Sequence, residues 1–190
     1  MSIAALSYGR HHISPQDIAA VKKVLESDWL TQGPALREFE QAFAGYCGVR
    51  YAVAVFNGTV ALHLACLALG LEQGDEMVTS AITFVASANA ALYCGAQPRL
   101  ADIEPSTANV SPDAMAAACG ARTKILMPVH FAGQSCDMRA IAQIARERNV
   151  KVIEDACHAI GGSYGGTRIG SCQYSDITVF SFHPVKPMTT

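Results

Sequence analysis

From Tyr51 onward, short apolar runs alternate with segments of helical period, and this alternation limits the fold more than any other feature of the sequence. The runs Ala52–Phe56, Met77–Ser80, Pro98–Asp102, Ile125–Val129, Val150–Ile153 and Ile177–Phe180 read as strands. Between them, Thr59–Leu69, Phe84–Tyr93, Pro112–Cys119 and Met138–Arg148 read as helices. Strands this short, with apolar residues at successive positions, fit a mostly parallel sheet covered by helices on both faces. The expected class is therefore α/β. Asp137 suits the N-cap of the last helix, Arg146 and Arg148 its final turn, and Asn149 its stop.

The first fifty residues read differently, as a helical segment ahead of the 51–190 sheet domain. Ser14-Pro15-Gln16-Asp17 carries an N-cap, a first-turn proline and an N3 carboxylate, followed by Ile18, Val21, Val24 and Leu25 at helical spacing. Trp29 to Pro34 breaks that helix. A second amphipathic helix runs through Leu36, Phe39 and Phe43 and ends near Gly45 or Gly48.

Composition removes several function classes. A chain of 190 residues, 51% hydrophobic, is long enough for one sizeable core. A net charge of -2 with no basic run gives no electrostatic reason to bind nucleic acid or an anionic membrane. Met1–Arg10 lacks the pattern of a secretory signal, and the seven scattered cysteines never form C-x-x-C. The expectation is a cytoplasmic protein with reduced thiols and no zinc site.

Several expected strands end in polar residues: Asn57, Asp102, His130, Asp155 and the Ser181-Phe-His183 turn. In such sheets ligands bind beyond the carboxyl ends of the strands, so these residues gather at one functional rim. Gly58 and Thr59 open a helix after a strand, which makes either an anion cup or an ordinary tight turn. Neither G-x-G-x-x-G nor a P-loop occurs, and the glycines of Gly161–Gly166 read as turns. Asp155 is either a cap or structural ion-pair residue, or an acid for a cationic ring nitrogen with His158 beside it. Phe84 either packs in the core or stacks on an aromatic ligand. His130 reads as a hydrogen-bonded strand-end residue, His63 as core, and His11, His12 and Arg146–Arg148 as exposed. Lys186 follows the last strand. It is either a solvated lysine or an amine in a cleft, desolvated enough to attack a carbonyl. An anion cup, an aromatic stacker, a ring acid and a carbonyl-capturing lysine together fit pyridoxal phosphate.

The words Trp29-Leu-Thr-Gln-Gly-Pro34, Asn57-Gly-Thr-Val-Ala-Leu62, Thr83-Phe-Val-Ala86, Glu154-Asp-Ala-Cys-His-Ala159 and Ser181-Phe-His-Pro-Val-Lys186 carry a resemblance. The sequence resembles the DegT/DnrJ sugar aminotransferases, pyridoxal-phosphate enzymes of the aspartate-aminotransferase fold. Val129-His-Phe-Ala-Gly-Gln134, Cys157-His-Ala-Ile-Gly161 and Lys186-Pro-Met-Thr-Thr190 look closest to the UDP-4-keto-sugar aminotransferases of pseudaminic acid biosynthesis. The resemblance implies that Lys186 holds the cofactor covalently and then acts as general base and acid. It places Asp155 on the pyridine nitrogen, Phe84 against the ring, and His158 near the phenolic oxygen. Gly58, Thr59 and Ser181 would hold the phosphate, and Thr31 would touch the nucleotide sugar. It also implies L-glutamate as donor, C4 of a UDP-linked 4-keto-6-deoxy sugar as acceptor, and a homodimer.

Family members continue past the lysine word with a Gly-Glu-Gly-Gly-like turn, an antiparallel strand and a C-terminal domain, which this sequence lacks. The expectation is the N-terminal part of a longer or split enzyme, with the sheet edge at Ile177–Phe180 open. The competing expectation is a non-catalytic remnant that binds the cofactor or a partner chain.

Overall fold

A computed structural model describes residues 12–189. The expectations on Met1–Arg10 and His11 fall outside that range. Helix α1 (Pro15–Leu25) begins with the expected capping box: Ser14 and Asp17 satisfy each other's backbone N–H groups through their side chains. None of its residues is buried, so local capping rather than core packing defines it. Helix α2 (Pro34–Cys47) stops at Gly48, whose φ of 74° is left-handed and suits glycine. Its aromatic face is well placed. Phe39 meets Phe182 edge-on at 5.3 Å, and Phe43 meets Phe180 and Phe182 at 5.2 and 5.4 Å. These contacts fasten the helical segment to the chain that leads to Lys186.

Helix α3 (Gly58–Ala68), strand β1 (Glu76–Ser80), α4 (Val85–Tyr93), β2 (Gln97–Ala101), α5 (Pro112–Ala118), β3 (Thr123–Met127), α6 (Met138–Arg148) and β4 (Lys151–Asp155) follow in alternation. A small antiparallel hairpin, β5 (Ser163–Tyr164) and β6 (Thr167–Arg168), turns on Gly165-Gly166, as the glycine run predicts. Strand β7 (Ile177–Val179) closes the described sheet. Its order is β2-β1-β3-β4-β7 and every pairing is parallel.

Alternate residues of these strands enter two cores. On one face Met77, Ile125, Met127, Ile153 and Val179 pack with Leu62, Ala65 and Cys66 of α3 and Ala86, Ala90 and Ala91 of α4. On the other, Val78, Leu126 and Val152 pack with Met115 of α5 and Met138, Ile141 and Ala145 of α6. The small residues of α4 let it sit close to the sheet. Helix α6 runs as predicted, with Asp137 accepting from Ala140 N–H and Asn149 ending it at φ 53°.

Two expectations need correction. Ala52–Phe56 is extended but belongs to no strand: Ala54 N–H is taken by Glu40 of α2 instead of a neighbouring strand, and Val53 and Phe56 stay 79% and 83% exposed. An apolar run becomes a strand only when a partner accepts its backbone hydrogen bonds, and none of the described strands does. His63 is half-buried against Tyr93 rather than core, because the outer side of α3, with Leu64 and Leu67, remains open.

Candidate active site

The carboxyl ends of β4 and β7 and the N-termini of α3 and α4 form the site. Asn57 caps α3 by accepting from Val60 N–H, and Ala61 N–H returns to the Asn57 carbonyl. The N–H groups of Gly58 and Thr59 ahead of them have no partner among the described residues, so an eleven-residue helix offers two donors to an anion. Ser181 faces the same turn. A Cβ built on Gly58 would lie 3.4 Å from Ser181 Cβ and 3.5 Å from Cys157 Sγ.

Asp155 ends β4 and is only 4% exposed. Ser87 of α4 donates to its Oδ2 at 2.7 Å, and Cys157 N–H donates to its Oδ1 at 3.2 Å. No cation pairs with it among the described residues. It is neither a helix cap nor half of an ion pair, which removes both bland readings of this acid. A buried carboxylate with spare lone pairs and no cation suits a positively charged ligand atom.

Phe84 is the N-cap residue of α4 and is 69% exposed at the rim, not a core phenylalanine. Lys186 is half-buried, and its Nζ lies 2.7 Å from Nε2 of His158. Burial and then the Lys186 charge hold the His158 pKa below its ordinary value, so the imidazole accepts from the ammonium. The backbone reinforces this placement. Gly133 has φ 90°, and a Cβ there would meet the His158 carbonyl oxygen at 3.0 Å. Cys157, given no role by the sequence, lies among these groups. Burial, then the adjacent Asp155, push its pKa strongly upward, so it is a neutral thiol rather than a nucleophile.

The structure thus brings Gly58, Ser181, Asp155, His158 and Lys186 together through contacts around Cys157, with Phe84 tied to Asp155 through Ser87, whose backbone N–H donates to the Phe84 carbonyl and whose hydroxyl donates to Asp155. Thr59 follows Gly58 at the helix start. Thr31 is exposed on the α1–α2 connection and takes no part in these contacts. Sequence reasoning missed Ser87. Its only signal was a hydroxyl one helical turn after Thr83 in a helix whose one other polar residue is Asn89.

The chain is 44% identical over 97% of its length to a spore coat polysaccharide biosynthesis protein, SpsC, of Bacillus subtilis. It is 46% identical over 90% of its length to a GDP-perosamine synthase of Caulobacter vibrioides. It spans about half the length of these curated relatives, 47% and 46%. Among solved structures, PseC of Helicobacter pylori, an aminotransferase involved in pseudoaminic acid biosynthesis, matches 96% of the chain and 49% of its own. The TM-score there is 0.91 at 31% identity. Another sugar aminotransferase matches in apo, PMP and PLP forms with TM-scores of 0.89 to 0.91. The aspartate-aminotransferase-like architecture expected from the sequence is the one observed. With its model matching residues 11–190, the chain belongs to the DegT/DnrJ/EryC1/StrS aminotransferase family.

Proposed function

We propose that this chain provides the pyridoxal-phosphate site of a sugar aminotransferase that moves an amino group from L-glutamate to C4 of a UDP-linked 4-keto-6-deoxy sugar. The observation that carries the reading is the Lys186–His158 contact at 2.7 Å on the same rim as the buried, cation-free Asp155. The residues fit the cofactor: two free N–H groups and a serine for phosphate, an exposed aromatic face for a ring, an acid for its nitrogen and an amine for its aldehyde. Bound there, pyridoxal phosphate supplies an electrophilic aldehyde and an electron-withdrawing ring. Asp155 would keep the ring nitrogen protonated, and Phe84 would orient the ring face. Gly58, Thr59 and Ser181 would anchor the phosphate. Lys186 would be the amine that holds the aldehyde carbon and, once the donor's own amine has displaced it, the base that takes the donor Cα proton and the acid that returns it. His158 accepts from Lys186 and keeps its amine directed into the site. Thr31 is assigned to the nucleotide sugar on the resemblance alone.

PseC, involved in pseudoaminic acid biosynthesis, supports a pseudaminic-type acceptor, and the UDP linkage rests on the sequence resemblance. The GDP-perosamine synthase, more identical in sequence, favours a GDP-linked 4-keto sugar as the second reading. The seven unpaired cysteines support a cytoplasmic setting, and no described helix is long and apolar enough to cross a membrane. The exposed Leu64, Leu67 and Phe56 beside α3 support a homodimer.

Adding pyridoxal phosphate to the chain tests the reading. A visible absorbance band should form, disappear in Lys186→Ala, and bleach with L-glutamate. A band indifferent to glutamate would favour a non-catalytic binder. No band in a folded sample would overturn the cofactor assignment. Supplying UDP- and GDP-linked 4-keto sugars to the glutamate-treated protein then separates the acceptors by which one restores the band.

A further inference from the structure

We propose that Thr83 and Ser87 form a hydroxyl strut that sets the position of Asp155 relative to Phe84, making Ser87 a positioning residue for the ring-nitrogen acid. This rests on the pyridoxal-phosphate reading above. Ser87 is completely buried, and its Oγ lies 2.7 Å from Asp155 Oδ2, 2.7 Å from Thr83 Oγ1 and 3.2 Å from the Phe84 carbonyl.

A serine hydroxyl has one proton to give. Against an ionised carboxylate at 2.7 Å and a carbonyl at 3.2 Å, the shorter, charge-assisted bond takes it. Ser87 is then an acceptor toward Thr83, whose hydroxyl donates. The direction of both bonds is fixed: Thr83 to Ser87 to Asp155. Cys157 lends its N–H to Oδ1 and its neutral thiol to the same carboxylate, and of the four acceptor positions of the two oxygens at least one stays open to a ligand.

The strut joins two elements far apart in sequence. Thr83 and Phe84 lead into α4, and Asp155 ends β4. A planar ring that stacks on Phe84 while its nitrogen meets Asp155 needs these two groups in fixed register. Ser87, one turn into α4 from Phe84, is the side chain that connects them. A purely structural role would tie α4 to β4 without affecting the ligand.

The test measures pyridoxal-phosphate affinity and band position by absorbance titration, alongside the thermal midpoint of each protein without cofactor. Ser87→Ala should weaken affinity about tenfold, the scale of one lost hydrogen bond, and move the band maximum. Thr83→Ala should weaken it about threefold, and Thr83→Ser, which keeps the hydroxyl, should restore it. In a Phe84→Ala background the Ser87→Ala effect should shrink, because the register it maintains has lost one reference. Variants that lower the midpoint but leave affinity and band unchanged would overturn the strut. If Ser87→Ala does not fold, the Thr83 pair, at a half-buried position, decides the outcome alone. A parent protein that forms no band would instead remove the cofactor reading, and the strut with it.

Discussion

Glu154 and Asp155 are adjacent at the end of one strand, both buried, and have different work. Glu154 is held by three donors. Its Oε2 lies 2.8 Å from His130 Nε2, and its Oε1 accepts from Ser175 and from Thr178, the latter at 3.0 Å. Cys136 N–H donates to His130 Nδ1, which leaves the ring proton on Nε2, facing the carboxylate. The network ties β3, β4 and β7 into one rim. Asp155 accepts from Ser87 and Cys157 N–H, has the Cys157 thiol beside it, and meets no cation among the described residues. The difference arises because successive strand residues point to opposite faces: Glu154 faces the core under α6, Asp155 the rim between α3 and α4. Burial does not separate the two acids; what differs is what faces them, a histidine and two hydroxyls for Glu154 against one hydroxyl, a backbone N–H and a neighbouring thiol for Asp155.

This contrast can be broken by substitution. Asp155→Asn should cost the most in activity, on the order of a thousandfold (about 4 kcal/mol) in glutamate-driven half-reaction rate, the scale of losing a positioned electrostatic partner. Its unfolding free energy should fall by only about 1 kcal/mol, less than for Glu154→Ala, because the amide oxygen still accepts from Ser87 although its NH2 group then faces Cys157 N–H. Equal rates in parent and variant would return Asp155 to the structural class.

Glu154→Ala should reverse that pattern. It leaves His130, which is wholly buried, without its acceptor, and should destabilise the fold by about 3 kcal/mol in urea denaturation. If stability fell by under about 1 kcal/mol, the network would not be what holds the rim. Ser175→Ala should cost less, about 1 kcal/mol, because Thr178 still donates to the same oxygen.

The pH dependence gives the smallest effect. Burial alone would raise the Glu154 pKa, but hydrogen bonds from His130, Ser175 and Thr178 outweigh it and hold the group below its ordinary value of 4.5. A depressed folded-state pKa means this stabilisation is complete above pH 4.5 and is lost as pH falls through the folded value. Denaturation curves from pH 7 downward should show a loss of stability on the acid side that is reduced in Glu154→Gln. An unchanged acid slope in that variant would assign the loss to other carboxylates.

Residue order alone dictates the alternation of strands and helices, the caps at Ser14, Asp137 and Asn149, the hairpin glycines and the words that bring Lys186, Asp155 and Gly58 to one rim. These are local or periodic properties, written in residue types a few positions apart. Tertiary structure decided the rest. Whether Ala52–Phe56 is a strand depends on a partner strand, and whether His63 is core depends on what covers α3. Only packing showed that Phe84 is exposed, that Ser87 reaches an acid 68 residues away, and that Glu154 is spent on His130 while its neighbour is not. Hydrogen-bond partners across a fold leave no periodic trace in the chain, so the list of acids was legible in the sequence and their vacancies were not.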